Sequence, residues 1–146
     1  MTRRRTVTDE DGNQYLLLKE SGESSLVRDP ETGERTHLPT DSLEPADERA
    51  LDTILSSVPA AVVDLLTAVH DERALAVLLE LDAEGPIAVR TLLGSYDFCE
   101  SDLHGLLAEL QAAGLITESQ VAGERGYEVT EKGSVALGVV RRRNRD

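Results

Sequence analysis

Only one of the 146 residues, Cys99, is a cysteine, so no intrachain disulfide can form and no set of thiolates can close a zinc site. Tryptophan is absent. The four aromatic residues, Tyr15, Tyr96, Phe98 and Tyr127, are too few and too scattered to form a stacking platform for single-stranded nucleic acid, and are expected in the core or at its edge. No apolar run approaches the ~18 to 20 residues of a membrane span. Arg3, Arg4 and Arg5 are followed by Asp9, Glu10 and Asp11 in place of the apolar stretch of a secretory signal. The chain therefore reads as soluble and cytoplasmic, with no membrane partner. His37, His70 and His104 show no metal-ligand spacing, no serine lies in a nucleophile elbow, and no glycine-rich loop is shaped for phosphate. Neither a metal, nor a cofactor, nor an enzymatic activity is expected.

Positive charge is also scarce: 15 Lys and Arg face 28 Asp and Glu, for a net charge of -13. Seven of the cations sit in the end segments 3–5 and 141–145, which leaves 8 basic against 27 acidic residues between positions 6 and 140, or -19. Such a middle ordinarily argues against nucleic acid, because phosphate binding needs a positive face. Only Lys19 and Lys132 are lysines, against thirteen arginines. This composition resembles that of proteins from halophilic archaea, whose acidic surfaces stay hydrated in concentrated salt. Acidity on that scale is a solubility feature before it is a ligand signal.

Three textures follow one another along the chain. Residues 1–44 hold a basic N-terminal tail and three short apolar runs, at 15–18, 25–27 and 36–38. Turn residues separate them, Asp29-Pro30 and Gly33 among them, which predicts a three-stranded antiparallel β-meander. A sheet that small needs something to dock on. Residues 45–58 form an acidic linker with one weak helix at 46–55, its Leu51, Ile54 and Leu55 on one side. From Pro59 the apolar spacing is helical. Val62, Val63, Leu65, Leu66 and Val69 mark one helix, and Leu75, Leu78, Leu79 and Leu81 a second, capped by Asp71 and ended by Gly85-Pro86.

A short extended piece at 87–89 then leads to a two-turn helix at 90–96 with Leu92 and Leu93 inward, and Asp97 is expected to take a left-handed turn conformation. Cys99 opens a further helix with Leu103, Leu106, Leu107 and Leu110 at i, i+3, i+4 and i+7, closed by Gly114. Residues 115–121 alternate as a strand, 122–126 read as a hairpin tip, and 127–130 return as its partner. Thr130 caps a last helix through Val135, Leu137 and Val140 into the arginines.

In order and spacing, residues 60–140 resemble the winged helix-turn-helix regulators of the ArsR, MarR and PadR type. Four segments carry the resemblance: His70-Asp71-Glu72-Arg73-Ala74-Leu75, Gly85-Pro86-Ile87-Ala88-Val89-Arg90-Thr91-Leu92, Ala113-Gly114-Leu115-Ile116, and Gly126-Tyr127-Glu128-Val129-Thr130-Glu131-Lys132-Gly133. The whole chain is similar to a haloarchaeal family that carries this module. The fold so implied is α+β, a winged helix-turn-helix domain at 59–146 behind an N-terminal antiparallel β-meander. The function so implied is regulation of transcription by binding double-stranded DNA. A metal-sensing variant would need Cys99 to pair with His104 or with a second subunit, and the lack of a second cysteine argues against it.

With its leucines inward, the helix after Cys99 turns Ser101, Gly105, Ala108 and Ala112 outward, flanked by Asp102 and Glu109 on one side and His104 and Gln111 on the other. It carries no Arg or Lys, a departure from operator-reading relatives. Two readings remain open. In one, Ser101 and His104 hydrogen-bond base edges and Asp102 accepts from a cytosine amino group. Gly105 and Ala108 allow close approach to the groove, while Arg90, Arg125 at the wing tip and the terminal arginines meet phosphates. In the other, the small outward stripe is bare surface or a protein contact, and the domain is an interaction module. The arginine ends read as phosphate-tracking arms or as solvated tails. A homodimer is expected, through helices at about 47–69 and 131–143, and the meander is a candidate protein-docking element.

Overall fold

A computed structural model describes residues 3–141, which belong to two compact units, Met1–Val58 and Pro59–Asp146. The class is α+β, with antiparallel sheets and, among the described residues, six α-helices.

In the first unit the sheet has five strands where the apolar runs predict three. They are β1 (Arg5–Thr8), β2 (Gln14–Lys19), β3 (Ser24–Arg28), β4 (Arg35–Pro39) and β5 (Glu44–Pro45), in the order β4-β3-β2-β1-β5. β1 escapes a pattern search because its core residue Val7 stands among arginine and threonines. β5 escapes because it is two residues long. Consequently Arg4 and Arg5 are not a solvated tail. Arg5 pairs in register with Leu17 and its guanidinium lies 3.5 Å from Glu20, while Arg4 donates to the Leu18 carbonyl at 3.0 Å. Between β1 and β2 the Asp9 carboxylate accepts from the Asp11 and Asn13 amides at 3.0 and 2.9 Å. Between β3 and β4 Asp29 accepts from the Glu31 amide at 2.8 Å, and Gly33 takes φ 75°, the left-handed conformation that glycine adopts without strain.

The outer strands β4 and β5 are joined only by a single 3-10 turn, Thr40–Ser42, and Leu43. In a flat sheet they would lie four strand spacings apart, ~19 Å, whereas a three-residue 3-10 turn rises only ~6 Å. The sheet must therefore curl until its edges approach. Val7, Leu17 and Val27 form the core of the curl, with Tyr15, Leu38 and Leu43 packed on it. Helix α1 (Ala50–Leu55) lies against β1 and β2, so 45–58 is part of this unit and not a free linker. Its inward residue is Thr53, whose hydroxyl meets that of Thr6 at 2.6 Å in a buried pair. The expected apolar side points outward instead: Leu51 is 71% exposed, Leu55 50% and Ile54 41%.

The second unit opens with α2 (Ala60–Ala68) and α3 (Glu72–Glu84). Asp71 caps α3 by accepting from the Ala74 amide at 2.9 Å, and Gly85 ends it at φ 81°. Strand β6 (Ile87–Ala88) runs into α4 (Val89–Ser95), and α5 (Glu100–Ala112) follows. No residue between α4 and α5 is left-handed: Tyr96 and Cys99 are extended, and Asp97 has negative φ, contrary to expectation. A compact turn is made instead by the Phe98 amide donating to the Tyr96 carbonyl at 3.0 Å. Strands β7 (Ile116–Val121) and β8 (Glu124–Val129) form a hairpin, and β6 adds to β8 to give the order β6-β8-β7. Its connection is only Ala122-Gly123, both with positive φ, the conformation that suits strand twist in a two-residue hairpin.

Helix α6 (Glu131–Arg141) closes the unit. Thr130 accepts from the Gly133 amide at 3.1 Å and donates to the Gly114 carbonyl at 2.6 Å, so one hydroxyl caps the start of α6 and ties it to the end of α5. Lys132 donates to the Ala113 carbonyl at 2.9 Å and pairs with Asp64, supplying the cation that a helix C-terminus favours. The core they enclose is rich in leucine: Leu78, Leu81, Leu92, Leu103, Leu107, Leu110, Leu115 and Leu137 are fully buried.

Candidate nucleic-acid interface

Helix α5 is held by Leu103, Leu107 and Leu110, all fully buried, with Leu106 half-buried beside them. Three anchors one turn apart fix its rotation, and the spacing of 3.6 residues per turn then turns Ser101, Asp102, His104, Gly105, Ala108 and Ala112 outward, all of them exposed. A β-carbon built on Gly105 meets nothing within 4 Å, so no packing within the molecule requires a glycine there. The helix begins at Cys99, whose Sγ accepts weakly from the Asp102 amide at 3.4 Å and lies 3.4 Å from the Ser101 hydroxyl. Cys99 is exposed.

The charged candidates are occupied by partners within the molecule. Asp102 lies 3.9 Å from Arg73 of α3, His104 3.7 Å from Glu100, and Glu109 3.5 Å from His70. Arg90, at the start of α4, reaches Glu124 at 3.2 Å, which brings α4 and the end of the β7–β8 turn together. Arg125 is not at the hairpin tip. It pairs with Gln120 two rungs into the ladder, its guanidinium 2.7 Å from Glu118 and donating to the Tyr127 hydroxyl at 2.7 Å. The hydroxyl, followed by the Tyr127 and Glu118 charges, pushes the Arg125 pKa further up and keeps it a cation. Arg141 is 3.7 Å from Asp82. The remaining arginines of the C-terminal run, Arg142, Arg143 and Arg145, lie outside the described residues.

Among the described residues of the second unit, then, all five cations, Arg73, Arg90, Arg125, Lys132 and Arg141, have a carboxylate within 4 Å. The sequence pattern offers no sign of this, because every pair but Arg125 with Glu118 joins separate helices or a helix to a strand across 29 residues or more. These pairs are weak restraints. Arg90 is 85% exposed, and a pair so solvated is readily exchanged for a phosphate. The five α5 candidates share one exposed helix side, and no hydrogen bond or ion pair among the described residues joins Arg90 or Arg125 to them. No group of three or more His, Cys, Asp or Glu among the described residues is placed to hold a metal ion.

What the second unit defines is a compact arrangement of five helices and a three-stranded sheet that exposes one side of an acidic, leucine-anchored helix next to an arginine-bearing hairpin. No helix among the described residues is long and apolar enough to cross a membrane. The chain belongs to a family of unknown function, DUF7346, whose match spans residues 4–141 and so takes in both units. No curated protein and no solved structure matches it.

Proposed function

We propose that residues 59–141 form a winged helix-turn-helix and that the protein is a DNA-binding transcriptional regulator, with α5 as the recognition helix and the β7–β8 hairpin as the wing. The observation that carries this reading is the exposed side of α5: Ser101, Gly105 and Ala108 lie in line on a helix whose opposite side is locked into the core. A row of small residues lets a helix backbone approach a major groove. Ser101 and His104 bring hydrogen-bonding groups to base edges, and Asp102 an acceptor for a cytosine amino group. Arg90 and Arg125 supply phosphate contacts on exchanging their carboxylate partners. Leu66 of α2 and Val135, Val139 and Val140 of α6 are exposed, a surface suited to a homodimer and hence to a two-fold operator.

A second reading has its own observation. With every described cation of this unit paired to an acid, and with Glu100, Asp102 and Glu109 on a helix without a cation, the module is also suited to a protein partner in place of DNA. Salt affects the choice in both directions, since at ~1 M the screening length of ~3 Å mutes repulsion of phosphate by these acids and also removes most counterion-release affinity. Binding to the promoter region of its own gene and to scrambled DNA, across a potassium chloride series to molar levels, separates the readings. A DNA regulator binds its own promoter preferentially, and Ser101→Glu with Ala108→Glu weakens that binding about tenfold or more. Binding that is indifferent to sequence and to the double substitution would retire the DNA reading in favour of the interaction module.

A further inference from the structure

In the first unit an open groove of about 620 Å³ lies between the start of β1 and helix α1. Pro45 of β5 and Leu51 and Leu55 of α1 give it apolar surface, the two leucines one helical turn apart and each at least half exposed. Arg3, Arg4 and Arg5 line it from the chain that enters β1. Arg49 and Asp52 also border the groove and satisfy each other through two hydrogen bonds, at 2.9 and 3.2 Å. That leaves Glu48 as the other acid of the lining against three arginines, a positive site on a chain of net charge -13. Of the groove's arginines only Arg5 and Arg49 have a carboxylate within 4 Å among the described residues, whereas every described cation of the second unit has one. Arg4 donates one N–H to the Leu18 carbonyl and Arg5 lies 3.5 Å from Glu20, so each guanidinium keeps further donors for an incoming acid.

An occupant of this groove must bring negative charge to the arginines and apolar surface to the leucines. Nucleic acid brings the charge but little for Leu51 and Leu55, and no aromatic ring among the described lining residues is there for a base to stack on. A bilayer takes up an apolar side that stands proud of its surroundings, whereas these leucines lie along a concavity. An amphipathic helix with aliphatic residues at i, i+3 and i+4 and carboxylates beside them brings both. We propose that the groove docks an acidic amphipathic helix of another protein, its aliphatic residues on Leu51, Leu55 and Pro45 and its carboxylates on Arg3, Arg4 and Arg5. The guanidiniums orient the helix through charge-assisted hydrogen bonds, and the apolar contact supplies the part of the affinity that persists in concentrated salt, where charge is screened and apolar burial is strengthened. Nothing in this docking depends on DNA binding by the second unit.

The test selects from a phage-displayed library of random peptides of ~12 residues, about three helical turns, on the full chain. Selection in about 0.5 M potassium chloride suppresses attraction of basic peptides to the acidic surface. Enriched peptides are labelled with fluorescein and measured by fluorescence anisotropy. The expected result is an enriched class with Asp and Glu between Leu, Ile, Val or Met at helical spacing, binding one to one. Leu51→Ser with Leu55→Ser weakens that binding about tenfold or more at every salt concentration, and Arg3→Gln with Arg4→Gln weakens it about tenfold at low salt and less at high. All four positions are exposed, so the circular dichroism spectrum is unchanged. No enrichment, enriched peptides without acids, or binding that neither pair of substitutions weakens would each overturn the proposal. So would co-sedimentation with phosphatidylglycerol vesicles that the leucine pair abolishes, which would give the surface to a membrane, or a dimer in sedimentation velocity that the leucine pair disrupts, which would give the groove to a second copy. Peptide binding by a chain that fails to bind DNA in every condition would overturn the regulator reading and leave this one standing.

Discussion

At Gly126 a β-carbon would stand 2.5 Å from the Ile87 carbonyl oxygen and 2.8 Å from Val121 Cγ2, and at Gly133 it would stand 2.5 Å from the Leu115 oxygen. Both clashes are with backbone, which cannot swing aside as a long side chain can. Gly126 lets β6 lie close against β8, and Gly133 lets α6 start close against the Leu115 carbonyl, just before β7. Gly105 is a glycine of another kind, on the exposed side of α5 with open space around it. Gly126→Ala is expected to destabilise the protein by about 1–3 kcal/mol, the cost of overpacking. Gly105→Ala is expected to stabilise it by about 0.5–1 kcal/mol, because alanine restricts the unfolded chain and favours helix. Urea denaturation of the two variants measures both. A neutral Gly126→Ala would mean that β6 is not pinned to β8 as described. If Gly105→Ala gains stability and loses DNA affinity, the glycine is there for groove approach.

Among the elements, α3 and α5 were legible in the sequence, because Asp71, Gly85-Pro86 and leucines at i, i+3, i+4 and i+7 are signals that a helix carries within its own length. The hairpin was legible in place but not in extent. Tight pairing of Val121 with Glu124 put Arg125 into the ladder, and the two-residue connection accepts Ala122 at φ 51°, a conformation that alanine rarely adopts. β1 and β5 were hidden because a ladder supplied by a neighbour makes strands of residues with little strand pattern of their own. The inward side of α1 is not the one its spacing indicates: Leu51, Ile54 and Leu55 have the spacing of a buried stripe, while the sheet offers the Thr6 hydroxyl, and a buried hydroxyl needs a partner more than a leucine needs a core. Ion pairs of the second unit were out of reach, being matters of tertiary approach. The Thr6–Thr53 pair lends itself to a double-mutant cycle. Thr53→Val alone leaves the Thr6 hydroxyl buried without a partner and is expected to cost about 1–3 kcal/mol, and Thr6→Val likewise. The double variant is expected to recover most of that loss, within about 1 kcal/mol of the parent. Additive losses in thermal or urea melts would show that the two hydroxyls do not depend on each other.

On the scale of the whole molecule, the balance of 15 cations to 28 carboxylates means that each acid has more like neighbours than partners. The ion pairs described are mostly solvent-exposed, where each contributes at most about 1 kcal/mol and commonly less, so local pairing does not cancel the repulsion of a -13 chain. The unfolded chain relieves that repulsion by expanding, and dissolved salt relieves it in the folded state by screening. Screening changes fastest at low concentration, the Debye length falling from ~10 Å at 0.1 M to ~3 Å at 1 M, whereas salting-out strengthens apolar burial steadily as concentration rises. The melting temperature, followed by circular dichroism in potassium chloride, is therefore expected to rise steeply up to about 0.5 M and more gently above it. Reversing the charge of exposed acids away from the described ion pairs, for example Glu72→Lys together with Glu84→Lys, should flatten the steep part and spare the gentle one. A melting temperature that is level at low salt and climbs only at molar concentration would mean that the acidic surface is stabilised by burial and ion exclusion, with self-repulsion a minor force in this fold.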